Sequence, residues 1–303
     1  MQPPRSCAYW HTRAHSLARL PKAPALNRTS LALPEAGLMV ASHRGQTCTE
    51  LSKLLVGSRF SLVMAVSILQ LSDPHLLANP LGWYRGVQPF VALKNGLERA
   101  LLQIGRPPNL LLLTGDLCQD ESWAGYALLR NLLVPLGIPI ALLAGNHDHP
   151  QLLRACLGRV AHVAPALIPI GGWQLLLLDS HWPGEVDGWI SKAQLHWAKK
   201  VLNNQYDDLL VAVHHPPEAQ REGSLFLDRL VTFAKPKIVL MGHIHQHRRD
   251  THAKTTLLGC PSSFLQFKPT QICPLGLPHQ CGARFVELEA DGTWQETLLR
   301  WPN

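Results

Sequence analysis

Five short motifs in this 303-residue sequence carry side chains that can bind a divalent cation. They are Asp73 and His75 in S-D-P-H, Asp116 in G-D, Asn146 and His147 in G-N-H-D, His214 in H-H-P, and His243 and His245 in G-H-I-H. Carboxylate, imidazole and amide groups together suit first-row divalent metals such as Mn, Fe or Zn. Because no cysteine belongs to the set, the motifs disfavour a structural zinc site.

Each motif alone is common by chance. A single Asp or His is more often a surface or core residue, and G-N-H-D by itself resembles a turn. Five motifs in this order, each directly after an apolar run, are a much more specific signal and predict one shared site.

The apolar runs are short and bounded by turn residues, as expected of buried strands. They cover residues 66–71, 109–114, 138–144, 174–179, 209–213 and 237–241. Helix-like stretches lie at 88–103, 121–133, 191–202 and 224–233. This alternation predicts an α/β domain, in which the carboxyl ends of the strands would bring the motifs to one crevice. The segments 284–288 and 293–299, joined by Asp291-Gly292, predict a C-terminal β-hairpin.

The motif order resembles that of the calcineurin-like metallophosphoesterase superfamily over residues 66–247. Further blocks are similar to the bacterial cyclic AMP phosphodiesterases, the class III cyclic-nucleotide phosphodiesterases, and extend the resemblance to residues 66–300. These blocks are 68–76, 114–120, 176–180, 242–246, 261–269 and 288–292. The resemblance implies a metallophosphoesterase-type sandwich of two mixed β-sheets flanked by helices.

The same resemblance implies two bound divalent ions, an Fe/Mn pair, with Zn or two Mn ions as alternatives. One ion would be bound by Asp73, His75, Asp116 and His245, and the other by Asp116, Asn146, His214 and His243. Asp116 would then bridge the two ions. His214 is preferred to His215 because the family pattern is His-x-Pro, which leaves His215 as a neighbour able to contact substrate.

The activity implied is hydrolysis of 3′,5′-cyclic AMP to 5′-AMP through attack by a hydroxide that bridges the two metals. His147 would be catalytic and protonate the leaving oxygen. The substrate would contact His75, Asp116, Asn146, His147 and His245. Gln119 occupies a position at which many members of the superfamily carry a carboxylate that orients this histidine.

Two other functions stay open at this point. One is a metallophosphoesterase for another phosphodiester, or for a nucleotide or lipid-linked pyrophosphate. The other is a non-catalytic scaffold with the same fold, although such a scaffold should have lost metal ligands, and all seven are present.

Residues 1–63 differ in composition from the rest of the chain. They are rich in Arg, Pro and Ser, poor in acidic residues, and carry most of the net charge of +7. They are interpreted as a targeting peptide, a disordered tail or a non-native extension before a start at Met64, with the metallophosphoesterase domain at 64–303. The nearly neutral remainder disfavours a nucleic-acid ligand.

Partners and location follow from composition. No apolar run approaches the length of about 18 residues that a membrane-spanning helix needs. The seven Cys include no C-x-x-C pair, which is typical of a reducing compartment, so we expect a cytoplasmic protein. The expected partner is a small-molecule cyclic nucleotide or other phosphoester, and a homodimer stays open.

Overall fold

The computed structural model describes residues 65–202 and 208–302. The interpretations of residues 1–63 and of a start at Met64 lie outside these ranges. Within them the strands are Val66–Leu71 (β1), Leu110–Thr114 (β2), Ile140–Leu143 (β3), His162–Val163 (β4), Ala166–Ile170 (β5), Trp173–Leu177 (β6), Leu209–Val213 (β7), Ile238–Met241 (β8), Arg248–His252 (β9), Thr255–Gly259 (β10), Cys281–Leu288 (β11) and Trp294–Trp301 (β12). The helices are Pro89–Ile104 (α1), Trp123–Leu133 (α2), Pro150–Leu157 (α3), Lys192–Leu202 (α4) and Ser224–Ala234 (α5).

The strands form two six-stranded mixed sheets. The first has the order β12-β11-β1-β2-β3-β4 and the second the order β5-β6-β7-β8-β10-β9. Strands β1 to β4 run parallel, as do β6, β7, β8 and β10, whereas β11 and β12 form an antiparallel hairpin. The predicted α/β class, the two mixed sheets and the C-terminal hairpin are confirmed.

Alternate residues of each central strand face different layers of the core. In β2, Leu111 and Leu113 pack in a cluster with residues of α1, α2 and α3, while Leu110 and Leu112 pack in a cluster shared by the two sheets. A third cluster covers the other face of the second sheet with residues of α4 and α5. Because both faces are buried, these strands are largely apolar, and this makes them recognisable in the sequence.

Five elements lack a counterpart in the sequence-based prediction: α3, β4, β5, β9 and β10. Helix α3 has only eight residues, which is too short for a clear helical period. Strand β9 reads RRDTH and lies at a sheet edge, so it has no apolar run to mark it. The predicted strands and helices that correspond to observed elements agree with them to within two residues at each end, except that β11 begins three residues before the predicted start at 284.

The topology explains why the motifs can meet. Three of them follow β1, β2 and β3, which are neighbouring parallel strands of the first sheet. The other two follow β7 and β8, which are neighbouring parallel strands of the second. Parallel strands end at the same edge, so both sheets present their motifs at the carboxyl ends of their strands.

No helix in the described part of the chain is long and apolar enough to cross a membrane.

Candidate metal centre

Four of the predicted metal ligands form a compact, buried group. Ligand atoms of Asp73, His75, Asp116 and His245 all lie within 4.8 Å of one another. His75 Nε2 is 3.0 Å from His245 Nε2 and 3.6 Å from Asp116 Oδ2, and His245 Nε2 is 3.5 Å from Asp73 Oδ1. These residues are separated by up to about 170 positions in the sequence, and the two sheets bring them together.

The outer nitrogens of the two histidines show which ring atoms carry protons. His75 Nδ1 is 2.7 Å from Gln119 Oε1, and His245 Nδ1 is 2.9 Å from the Leu265 carbonyl. Both partners are acceptors, so both Nδ1 atoms donate, and both Nε2 atoms bear lone pairs. Two lone pairs that face each other at 3.0 Å beside two carboxylates fit a cation between them.

A second group of donors adjoins the first. Asn146 Oδ1 lies 3.3 Å from His214 Nε2 and 3.1 Å from His243 Nδ1. His214 Nδ1 donates to the Thr114 carbonyl at 2.6 Å, so Nε2 is the ring nitrogen that faces Asn146 and Asp116.

Asp116 contacts both groups. Its Oδ2 is 3.6 Å from His75 Nε2, and its Oδ1 is 3.5 Å from His214 Nε2. One carboxylate with an oxygen in each group has the geometry of a ligand that bridges two cations. A further buried acceptor, Asp73 Oδ2, has no hydrogen-bond partner within residues 65–202 and 208–302, which also fits a cation site. The donor set therefore fits two divalent ions.

The backbone at this centre is unusual. Five of the seven donors adopt positive φ, a region that non-glycine residues rarely occupy. They are Asp73 at 52°, His75 at 48°, Asp116 at 49°, His243 at 70° and His245 at 52°. Each such residue costs about 1–3 kcal/mol, and such conformations cluster at functional sites. The positive φ values change the direction of the backbone just after the strands end, and the donor side chains thereby point toward one another.

Asp148, the last residue of G-N-H-D, holds the neighbouring loops together. Its buried carboxylate accepts hydrogen bonds from the backbone N–H groups of Leu117, Cys118 and Gly145 at 2.8–3.1 Å, and from the Tyr126 hydroxyl at 3.0 Å. It thereby fixes the loop that carries Asp116 against the loop that carries Asn146. Sequence reasoning gave Asp148 no role, although its place in the motif was a usable signal.

Gly145 allows these two loops to approach closely. A Cβ atom at this position would collide with the carboxylate of Asp116 and with the ring of His214. The glycine of G-N-H-D is therefore required by the close approach of the donors.

Burial and neighbouring charges shift the pKa values of the donors. Burial raises the pKa of Asp73 to about 7 and lowers that of His245 to about 3. Burial also opposes charge on Asp116 and His214, but their mutual attraction outweighs it: the pKa of Asp116 lies well below its usual value, and that of His214 rises to about 9. Metal ligands bind in deprotonated form, so uptake of a cation here should release protons.

The adjacent residues His214 and His215 have different environments. Although a ligand atom of His215 lies within 4.8 Å of His214 and His243, both of its ring nitrogens have other partners. Nδ1 is 2.7 Å from Ser180 Oγ, and Nε2 is 3.1 Å from the Val186 carbonyl. His215 is also fully buried, so it is not placed to contact substrate as the sequence had suggested.

The two histidines form a matched pair for mutagenesis. We expect His214→Gln to lose one of two bound ions, because its Nε2 faces Asp116 and Asn146. We expect His215→Gln to keep both ions, since its nitrogens bind Ser180 and Val186 instead. Metal content per chain, measured after dialysis in parallel, checks this. Equal metal loss in the two variants would contradict the assignment.

A cleft of about 480 Å³ opens beside Asn146 and His147. Its walls come from the start of α3 and, after β6, from residues 181 and 183–186. The charged residues among its lining are Glu121, Asp148 and Glu185, all of them acidic. His181, a further lining residue that the sequence did not single out, donates from Nδ1 to the Gly145 carbonyl at 2.9 Å and keeps Nε2 as an acceptor.

Aromatic rings pack around the first group of donors. Phe267 stacks on the His245 ring, with centroids 4.1 Å apart and planes inclined by 9°, and stays 44% exposed. Phe264 is buried and stacks on Tyr84, with centroids 5.5 Å apart. Each phenylalanine ring thus has one face packed against a neighbouring ring.

Comparison with known proteins adds a family match. Residues 66–247 match the sequence model of the family described as calcineurin-like phosphoesterase. A protein of Synechococcus sp. (strain WH7803) named "probable cyclic nucleotide phosphodiesterase" is 39% identical over 261 residues, which cover 77% of this chain and 96% of that protein. The 3′,5′-cyclic adenosine monophosphate phosphodiesterase CpdA of Escherichia coli (strain K12) is 34% identical over 251 residues, which cover 75% of this chain and 87% of the relative.

A solved structure supports the fold. Purple acid phosphatase PPD1 from yellow lupin seeds aligns with a TM-score of 0.56 and 14% identity, covering 78% of this chain and 52% of that one. At this identity the likeness concerns the arrangement of sheets and helices alone.

Proposed function

Since the chain belongs to the calcineurin-like phosphoesterase family, we propose that it is a two-metal phosphodiesterase that hydrolyses 3′,5′-cyclic AMP to 5′-AMP. The observation that carries the proposal is the convergence of seven donors into two adjoining groups that share Asp116. A scaffold that had lost its chemistry would not need to keep five strained backbone positions at the donors.

We assign the donors to two ions as the family resemblance implies. One ion would be held by Asp73, His75, Asp116 and His245, and the other by Asp116, Asn146, His214 and His243. The mixture of carboxylate, imidazole and amide donors suits an Fe/Mn pair, with Zn or two Mn ions as alternatives. When bound, two such ions supply an activated water and neutralise charge on the phosphoryl oxygens.

Residues beside the donors would assist departure of the leaving group. His147 lines the cleft next to Asn146 and donates to the leaving oxygen of the ester. Its backbone N–H donates to Asp116 Oδ1 at 2.9 Å, which fixes its position relative to the shared carboxylate. With His147 on the leaving-group side, the alcohol part of the ester occupies the cleft beside it.

The charge of the cleft supports a nucleoside as that alcohol part. Glu121 and Glu185 stand in its walls, and the charged lining residues carry no positive charge. A second phosphate, as in a pyrophosphate substrate, would be placed near carboxylates and repelled. An uncharged ribose and base would meet hydrogen-bonding groups such as Gln151 and His181 instead. This observation favours a cyclic nucleotide over a pyrophosphate.

A substrate panel tests the proposal. The purified protein with added Mn²⁺ is assayed on cyclic AMP, cyclic GMP, a generic aryl phosphodiester and a lipid diphosphate. We expect cyclic AMP to have the highest kcat/KM among the non-activated esters. Slow turnover of cyclic AMP beside fast turnover of the lipid diphosphate would contradict the proposal.

The cytoplasmic location, the homodimer and the domain boundary at residue 64 stay predictions.

A further inference from the structure

We propose that His215 is a positioning residue that holds one wall of the cleft in place for the nucleoside part of the substrate. That wall belongs to the loop of residues 180–189, which we call the wall loop; its residues 181 and 183–186 line the cleft. The inference deepens the proposed function, on which it rests for the nucleoside as ligand. It gives a role to a fully buried histidine that belongs to neither group of proposed ligands.

The wall loop is closed at its base and exposed in its middle. The backbone N–H of Trp189 donates to the Ser180 carbonyl at 3.0 Å and closes the loop. Residues 183–187 between these ends are exposed. A hydrogen bond from the Glu185 N–H to the Trp182 carbonyl, at 3.1 Å, stays inside the loop. Such internal bonds do not fix where the wall stands relative to the metal centre.

Contacts from other parts of the fold reach the two ends of the loop. Within residues 65–202 and 208–302, the exposed stretch 183–187 has one hydrogen bond from outside the loop, and His215 donates it. The contacts at the ends are the bonds from His181 to the Gly145 carbonyl at 2.9 Å and from Gly188 to the Ala219 carbonyl at 2.7 Å, and the packing of Arg221 over Trp182.

His215 joins the exposed stretch to the base of the loop. Its Nε2 donates to the Val186 carbonyl at 3.1 Å, and its Nδ1 is hydrogen-bonded to Ser180 Oγ at 2.7 Å. The backbone N–H of His215 also donates to Ser180 Oγ, at 3.3 Å. One side chain at the end of β7 therefore determines the position of two points of the wall loop.

The ring of His215 also separates the wall loop from the metal centre by a fixed distance. A Cβ atom at residue 188 would lie 2.5 Å from the ring, so Gly188 allows the loop to pack directly on it. On its other side the ring packs on His214 and His243, with centroids 4.6 and 4.7 Å away. Both of these neighbours are proposed ligands of the same ion, so the wall is held relative to that ion.

The position of the wall matters for one part of the ester. The alcohol part occupies the cleft, whereas the phosphoryl group binds at the donors. A loosened wall should therefore weaken binding of a nucleotide and leave binding of inorganic phosphate unchanged.

Two substitutions at residue 215 separate the bond to the wall from the rest of the side chain. The amide nitrogen of glutamine is as many bonds from Cβ as histidine Nε2, so His215→Gln can still donate to the Val186 carbonyl. The amide nitrogen of asparagine is as close to Cβ as histidine Nδ1, so His215→Asn can bond Ser180 but does not reach Val186. Both variants are neutral amides and form a matched pair.

Hydrogen exchange of the metal-loaded full chain, followed by mass spectrometry, reports on the wall loop without any substrate. The N–H groups of Glu185, Gly188 and Trp189 are hydrogen-bonded in the wild type. In the peptide that covers residues 180–189 we expect exchange about 3–10-fold faster in His215→Asn and close to wild type in His215→Gln. Unchanged exchange in His215→Asn, or equally fast exchange in both variants, would overturn the proposal.

Calorimetric titration with 5′-AMP and with inorganic phosphate tests the consequence for ligands, on protein loaded with Mn²⁺ and freed of excess metal. We expect His215→Asn to raise the Kd of 5′-AMP about 3–10-fold and to leave that of phosphate unchanged. His215→Gln should bind both ligands nearly as the wild type does. Equal weakening of both ligands, unchanged binding of 5′-AMP, or loss of metal from His215→Asn would overturn the proposal.

A variant on the loop side of the contact keeps the test independent of a substituted core histidine. Gly188→Ala leaves His215 intact and displaces the loop from its ring. We expect faster exchange of the wall loop and weaker binding of 5′-AMP, again with phosphate unchanged. Binding of 5′-AMP as in the wild type would contradict the role of the wall.

Turnover separates this proposal from the proposed function. His215→Asn should raise KM for cyclic AMP about 3–10-fold and change kcat less than about twofold, as expected when contacts common to the ground and transition states are lost. A fall in kcat at constant KM would overturn the proposal. A wild-type protein that meets the exchange and binding expectations but does not hydrolyse cyclic AMP would reject the proposed reaction and keep the role of His215.

Discussion

Asp116→Asn is expected to remove both bound metal and nearly all phosphodiesterase activity, a loss of about 10³-fold or more. Asp116 is the one donor with an oxygen in each group, at 3.6 Å from His75 and 3.5 Å from His214. Asparagine keeps the size of the side chain but replaces one oxygen by an NH₂ group, which cannot bind a cation. Metal content by mass spectrometry and turnover of cyclic AMP measure the two effects.

Asp120→Asn provides a matched control four residues later. The Asp120 carboxylate accepts from the backbone N–H of Ala78 at 2.8 Å and lies outside both donor groups. We expect this variant to keep its metal, so that loss in Asp116→Asn reports on the shared carboxylate. Full metal content in Asp116→Asn would show that Asp116 does not hold the ions.

His147→Ala should have the second-largest effect, and the effect should depend on the leaving group. His147 lies in the cleft and is not a member of either donor group, so the metal content should stay at the wild-type level. A ribose oxygen is a poor leaving group and needs a donor, which contributes about 10²–10⁴-fold to such reactions. An activated aryl ester departs without that help and should lose less than about tenfold.

The comparison of these two substrates decides the role of His147. His149→Ala serves as the control, because His149 also lines the cleft and is two residues away. It should affect both substrates alike, since it caps α3 through Leu152 and does not contact Gln119. Equal losses on cyclic AMP and on the aryl ester in His147→Ala would contradict a role as donor to the leaving oxygen.

Much of the donor set could be predicted from the sequence because its residues follow strands that end at the same edge of a sheet. Asp73, Asp116, Asn146, His214 and His243 each follow a largely apolar run, and such runs form the parallel strands whose ends meet. The structure brings these residues together with His75 and His245 in two adjoining groups. Their roles as ligands remain proposals that the variants above test.

Other features of the site depend on three-dimensional detail that spacing does not encode. The hydrogen bonds of His215 to Ser180 and Val186 join residues up to 35 positions apart. The contacts of the Gln119 side chain, whose Oε1 faces His75 and whose Nε2 faces His147, also could not be predicted from spacing. The positive φ values at the donors come from packing that overrides the preferences of Asp and His for ordinary backbone regions.

The most direct test of the central claim is a crystal structure of the metal-loaded protein with anomalous diffraction data. We expect two ions about 3.5–4 Å apart. One should lie among Asp73, His75 and His245, the other among Asn146, His214 and His243, with Asp116 bound to both. A single ion, or ions bound away from Asp116, would contradict the two-metal centre and the phosphodiesterase proposal that depends on it.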